Sequence, residues 1–340
     1  MEIDLGDTPF GLDFHPNDHL VAVSLINGKF QLYRYGGASA QSSHLIRLFE
    51  KEAHSCGSCR AVRFINSGQA MLVASSVGSI LAADLETGSP IARFENTHEH
   101  AIYSMVNITE STIATGHDDG FIKIWDTRQR TCCNSFDPPS DSGDVAGCVS
   151  DMTIASDYMK LLATCDGTLS VCNLRSNKVQ TRSEFSEEDL SSVVVMKNGR
   201  KVICGSEDGV LLLYSWGFFK DCSDRFIGLS PSPVNALLKL DEERVIVASG
   251  NGLISVVGIL PNRIIQPLAE HSDTVEGLAF SHDRKFLGSI SDEFDHFLKL
   301  WDLDELLQEN SESDNDCDEM EVDVNPLKSK KGEQSKTWAK

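Results

Sequence analysis

The feature that most restricts the fold of this chain is a period. Seven times in 340 residues, an alternating apolar run leads into a small-residue run, a tight turn and a third run that often ends in an aromatic and an acidic residue. The copies read LVAVSLINGKFQLYRY from Leu20, AMLVASSVGSILAADLETG from Ala70, TIATGHDDGFIKIWD from Thr112 and LLATCDGTLSVCNL from Leu161. They continue with KVICGSEDGVLLLYSW from Lys201, RVIVASGNGLISVVGI from Arg244 and FLGSISDEFDHFLKLWD from Phe286. The turn falls at Asn27, Val77, Asp119, Asp166, Asp208, Asn251 and Asp295, so the spacings are 50, 42, 47, 42, 43 and 44 residues. A unit of this size has too small a core to stand alone and must stack on its neighbours. Period-two alternation, as at Val275, Leu278 and Phe280 or at Ile122 and Ile124, marks the runs as strands with faces packed between neighbouring units.

Strand counting adds a statement about closure. Six linkers, HLIRLFE, PIARFEN, TCCNSF, KVQTRSEF, DRFIGLS and RIIQPLAE, each supply a fourth, outer strand. After the seventh copy the chain turns instead into a short helical segment, DELLQE. The alternating MEIDL at the start fits the vacancy, so Glu2 to Leu5 is expected to pair with the last unit and cover an otherwise open edge.

Composition narrows the function. A formal net charge of -21 disfavours direct nucleic-acid binding, since phosphate contacts need a basic surface. The first residues lack a leader-like apolar core, and the longest nearly apolar run, VLLLYSWGFF from Val210, is shorter than the roughly 18 residues of a spanning helix. A cytosolic or nuclear protein without membrane contact, monomeric by itself, is the expectation. The ten cysteines lie mostly in apolar contexts such as Cys165 and Cys204, as small core residues of a reduced protein. Cys56 and Cys59 have metal or redox spacing, but no second pair completes a zinc set, so they read as loop and strand. Cys132 and Cys133 read as opposite faces of one strand. No cofactor and no metal are expected.

The period, the four strands per unit and the pairs Trp125-Asp126 and Trp301-Asp302 resemble the WD40 repeat family over about residues 1–307. That resemblance implies an all-β, seven-bladed propeller closed by an N-terminal strand, followed by a disordered tail over 308–340. It also implies a structural network in each well-preserved blade. In blade three this would be His98, Thr115, Asp119 and Trp125, and in blade seven His271, Ser289, Asp295 and Trp301. The composition is that of a catalytic triad, yet a triad needs an exposed nucleophile and an oxyanion hole, whereas these residues occupy a repeated framework position. No copy adds an acid, base and nucleophile outside the repeat, so an enzyme is not expected. Blades one, two, four, five and six carry Tyr33, Ala83, Cys172, Tyr214 and Val257 in place of the Trp and are expected to rely on apolar packing.

Two surfaces stand out beyond the framework. Trp125-Asp126-Thr127-Arg128 matches the WDxR motif of WD proteins that resemble substrate receptors of cullin-4 ubiquitin ligases, in which the Arg helps bind the adaptor, damaged-DNA-binding protein one. Blade four keeps a degraded copy ending in Arg175, and a guanidinium suits a forked contact with an acidic partner. At the tight turns, Asp118, Glu207, Asp208, Asp292, Glu293 and Phe294 suggest an acidic mouth with an aromatic anchor for a Lys/Arg-rich peptide, while His117 and Asp118 read as turn residues. From Gln308 an acidic run gives way to a lysine-rich end. There Ser311 and Ser313 precede Asp314 and Asp316 at the offset of acidophilic-kinase sites, Lys328 to Lys331 resembles a nuclear-localisation signal, and Trp338 resembles a short docking feature. The stretches MEIDLGDTPFGLDFHP, SCRAVRF, MKNGRKVICG, LYSWGFFKDCSDRF and VGILPNRIIQP resemble a plant-like branch of the family. That resemblance implies a nuclear, partly nucleolar scaffold, with some in the cytoplasm, acting in cullin-4 ubiquitination or, alternatively, in ribosomal RNA processing.

Overall fold

The computed structural model describes residues 1–36, 44–53, 57–94, 100–137, 147–155, 157, 159–292 and 295–309. Cys56, His98, Glu293, Phe294 and all of 310–340, with Ser311, Ser313, Lys328 to Lys331 and Trp338, lie outside them. Seven antiparallel sheets of four strands form a ring. From the inner strand outward, blade one is Pro9–Phe14, Leu20–Leu25, Lys29–Arg34 and Ile46–Glu52. Blade two is Cys59–Ile65, Ala70–Ser75, Ile80–Asp84 and Pro90–Phe94, and blade three is Ile102–Thr109, Thr112–His117, Ile122–Asp126 and Thr131–Phe136. Blade four is Val149–Ile154, Lys160–Cys165, Thr168–Asn173 and Lys178–Arg182. Blade five is Leu190–Met196, Lys201–Ser206, Leu211–Ser215 and Asp224–Phe226, and blade six is Val234–Lys239, Arg244–Ser249, Leu253–Gly258 and Arg263–Glu270. Blade seven is Val275–Phe280, Phe286–Ser291 and Phe297–Asp302, completed by Glu2–Asp4.

The core follows from this stacking. Each of seven apolar clusters draws its residues from two adjacent blades, so every blade contributes to two of them. Between blades two and three, for instance, Leu72, Ile80 and Phe94 meet Ile102, Met105, Ile113 and Trp125. This is why the second strands read as unbroken small and apolar runs: Leu20–Leu25 and Ala70–Ser75 are buried at every position, because both their faces are covered. Outer strands see solvent, and Cys132 and Cys133 are both exposed on one of them. The turns between second and third strands come close to the loops entering the next blade. At Gly209 (φ 75°) and Gly252 (φ 87°) a Cβ would sit 2.1 Å from the Ser230 carbonyl oxygen and 2.3 Å from that of His271. Both the left-handed backbone and the close approach require glycine there.

Closure is made by the start of the chain. Glu2, Ile3 and Asp4 pair with Lys299, Leu298 and Phe297. The Leu5 amide donates to the His296 carbonyl at 2.9 Å, and the Leu300 amide donates to Met1 O at 2.7 Å. Leu5 is buried between blades seven and one, and its carbonyl accepts from Gln31 Nε2 at 3.1 Å. Beyond blade seven, Asp302 Oδ1 accepts the amides of Asp304 and Glu305 and starts the helix Leu303–Glu309. Leu303, Leu306 and Leu307 of that helix pack on the cluster between blades six and seven. The helix runs two residues past the boundary expected at 307.

Two local readings change. His117 is the last residue of its strand and 2% exposed, not a turn residue. The outer strand of blade five shrinks to Asp224–Phe226, and the chain leading into it doubles back after Ser215 and buries Phe219 beside Trp216, their rings 5.4 Å apart.

Candidate functional site

In blade seven His271, Ser289, Asp295 and Trp301 come together and form a directed chain. Trp301 Nε1 donates to Ser289 Oγ at 2.8 Å, Ser289 Oγ and His271 Nε2 lie 2.7 Å apart, and His271 Nδ1 and Asp295 Oδ2 lie 2.9 Å apart. Burial lowers the His271 pKa and outweighs the pull of the Asp295 carboxylate, so the ring is neutral, donates from Nδ1 and accepts at Nε2. Asp295 is in turn held below the usual carboxylate range, its hydrogen bond from His271 and the charge of Lys299 outweighing its own burial. Ser289 is fully buried and already engaged by the indole, which leaves a substrate no approach to it. In blade three Trp125 Nε1 donates to Thr115 Oγ1 at 3.0 Å. Asp119 stands 3.5 Å from His117 Nδ1 and 3.9 Å from His100 Nε2, while His98 is not among the described residues. Blade one uses a different polar device where apolar packing was expected. The Tyr33 hydroxyl donates to Gln31 Oε1 at 2.5 Å, and Gln31 Nε2 reaches Glu50 Oε2 at 2.6 Å. Ala83, Cys172 and Val257 are fully buried among apolar neighbours.

The rim at which the third strands end carries the two arginines. Asp126 Oδ1 accepts the amides of Arg128 at 2.8 Å and Gln129 at 3.0 Å. Asn173 Oδ1 accepts those of Arg175 at 3.0 Å and Ser176 at 2.9 Å. The two turns are thus built alike, on adjacent blades, by an Asx side chain closing on its own backbone. Arg128 and Arg175 are exposed, and among the described residues neither guanidinium forms an ion pair. Trp125 is 6% exposed and fixes the strand rather than the surface.

The opposite rim holds Glu207 and Asp208, both exposed, and the half-buried Asp118 and Asp292. Inside this rim lies a ring that sequence reasoning missed. Every inner strand slips register once near its start, and the residues so passed over are Phe10, Arg60, Tyr103, Ser150, Ser191, Asn235 and Glu276. A bulged residue leaves the ladder and is re-aimed, and all seven line one cavity of about 180 Å3 at the axis. The Arg60 guanidinium lies over both the Phe10 and Tyr103 rings, 4.2 and 4.8 Å from their centroids. The signal was present in each copy, since the passed-over residue stands between a buried residue and a small or short one, as in Cys59-Arg60-Ala61, Ile102-Tyr103-Ser104 and Val275-Glu276-Gly277.

Glu276 makes the charge of this mouth depend on pH. Burial first, then Asp292 and Asp273, push its carboxyl up to about 7, against the pull of Arg60. Between pH 4.5 and 7 the folded chain therefore holds a proton that the unfolded chain has released. The contribution of Glu276 to stability falls as pH rises through that window. Glu276→Gln is expected to raise stability by about 1–2 kcal/mol at pH 8 and by little at pH 4.5. Urea midpoints at the two pH values check this, and an equal gain at both would show that the carboxyl is not held uncharged.

Seven four-stranded blades in a ring, with Trp side chains of the third strand hydrogen-bonded to a Ser or Thr of the second, define a WD-repeat β-propeller, a class that generally mediates protein–protein interactions. The WDR55 family model matches residues 1–306. The chain is 58% identical over 309 residues to WD repeat-containing protein 55 of Arabidopsis thaliana, covering 91% of this chain and 84% of that one. Identity is 34% to WD repeat-containing protein 55 of Bos taurus (87% and 75% covered) and 32% to its Dictyostelium discoideum homolog (91% and 72%). The chain belongs to the WD repeat-containing protein 55 family.

Proposed function

We propose that this propeller is a non-enzymatic substrate receptor that holds the cullin-4 ligase adaptor, damaged-DNA-binding protein one, on one rim and a basic target protein on the other. The observation that carries the reading is the pair of like-built turns on the adjacent blades three and four, which present the exposed Arg128 and Arg175 with no guanidinium ion pair among the described residues. A forked guanidinium contact supplies direction as well as charge. Trp125 and Asp126 serve the contact indirectly, by holding the turn. The receptor contributes proximity, raising the effective concentration of target near the ligase. On the far rim Asp118, Glu207 and Asp292 complement a Lys/Arg-rich segment. The reading places the protein in the nucleus, with a nucleolar share and some in the cytoplasm.

Co-purification from nuclear and cytoplasmic extracts tests it. Wild type is expected to bring down the adaptor from the nuclear fraction, and Arg128→Ala/Arg175→Ala to lose it at least tenfold while keeping the same thermal midpoint. Adaptor retained by the folded double variant, or none with the wild type, overturns the reading. In that case the acidic mouth favours the second reading, a scaffold that gathers basic ribosome-assembly proteins for ribosomal RNA processing. Such a scaffold has no need of either arginine.

A further inference from the structure

A second cluster of chemically capable side chains lies where the ring closes. His19 sits in the turn between the first two strands of blade one, and His282 and Asp283 occupy the corresponding turn of blade seven. Some 260 residues apart in the chain, they meet across the seam. His19 Nε2 is 3.9 Å from Asp283 Oδ2, and the two imidazole rings stand 5.1 Å apart at 72°. One ligating atom from each of the three lies within 4.8 Å of the others.

The surroundings orient these groups. Asp283 Oδ1 accepts from Ser281 Oγ at 2.7 Å and from the Lys285 amide at 3.2 Å, which turns Oδ2 toward His19. The His19 ring is met edge-on by the ring of the buried Tyr35 at 5.2 Å, and the His19 carbonyl accepts from the Tyr35 amide at 3.1 Å. Tyr35 packs on Phe14 of blade one and Phe286 of blade seven, so one aromatic stack fixes both sides of the seam. The cation nearest Asp283 is Lys285, its Nζ 3.8 Å from Oδ2, on a side chain that is 69% exposed and can swing clear.

We infer that His19, His282 and Asp283 form a site for a divalent transition-metal ion of the zinc type, which would clasp blade one to blade seven. Two imidazoles and one carboxylate are a donor set that zinc accepts, with water in the fourth position. Ligand atoms around a tetrahedral zinc lie about 3.3 Å apart, given bond lengths near 2.05 Å. The site reaches that spacing from 3.9–4.8 Å by side-chain rotation, because both histidines are exposed. The hydrogen bonds to Asp283 Oδ1 orient the carboxylate as outer-shell partners do in metal sites. No sequence motif announces the set, because its members come from the two ends of the repeat array. An ion bound only when both blades are in place stabilises the closed ring by mass action.

Isothermal titration of the full chain with zinc chloride at pH 7.5, in a Cys132→Ser/Cys133→Ser background that removes the thiols exposed among the described residues, reads the site directly. One ion per chain is expected, with the affinity reduced at least tenfold by His19→Ala, His282→Ala or Asp283→Asn. At 1 mM zinc the thermal midpoint should rise by about 3–6 °C in the parent and stay unchanged in His19→Ala. The three substitutions lie at the surface, and their far-ultraviolet circular dichroism should match the parent. No saturable binding below 1 mM, or binding and stabilisation that persist in both histidine variants, overturns the inference.

Discussion

His271→Ala is expected to lower the stability of the folded chain by about 3–5 kcal/mol, the cost of leaving a buried carboxylate without its donor together with the cavity left by the ring. The substitution leaves Asp295, 6% exposed, as a buried carboxylate without its imidazole donor, and it deprives the Ser289 hydroxyl of its acceptor. Trp301→Phe retains most of the ring volume and removes only the indole N–H, so about 1 kcal/mol is expected there. Urea denaturation at pH 7.5 separates the two, and equal losses would mean that packing rather than the polar chain carries the energy. The difference between wild type and His271→Ala should also shrink on acidification. Because burial depresses the His271 pKa, the unfolded chain binds a proton below about 6.5 that the folded chain refuses. The stabilisation is therefore complete above that pH and declines as pH falls below it. His117, pushed down to about 3 by burial and by the charges of Lys123 and His100, adds a loss of the same sign.

Deletion of residues 1–6 is expected to cost on the order of 4–6 kcal/mol. Three strand pairs and the flanking bonds of Met1 and Leu5 disappear, each net hydrogen bond contributing about 1 kcal/mol, together with the burial of Leu5, about 2 kcal/mol. The deletion also bares the edge of Phe297–Asp302, an invitation to pairing between molecules. A thermal midpoint lowered by about 10 °C, with aggregation on heating, is the expected result. A variant that melts like the parent and stays monomeric would show that blade seven closes without its fourth strand.

The framework was readable from sequence because its causes are local. Small-residue second strands, turns needing left-handed backbone and the Trp of blades three and seven recur at fixed offsets, and the missing outer strand after Asp302 pointed to the start of the chain. The candidate sites were read unevenly. Arg128 and Arg175 stand out because the Asx residue two positions before each shapes the turn by itself. Phe10, Arg60, Tyr103 and Glu276 were hidden because a bulge breaks the very alternation used to find the strand. His117 was misread because a turn rich in Asp and Gly begins one residue after it. His19 and His282 have no neighbours in sequence that announce their meeting, and only closure of the ring brings them together.

That closure has a consequence in time. The partner of Glu2–Asp4 is the strand ending at Asp302, so this strand waits for one made almost 300 residues later. At about 5–20 residues per second, some 300 residues take roughly 15–60 s to be made. Throughout that interval Met1 to Leu5 has no native strand to join, while the intervening blades can stack in the order in which they emerge. Whatever shields this short segment during synthesis, whether a chaperone or the nascent ring itself, acts before any partner of the finished protein can.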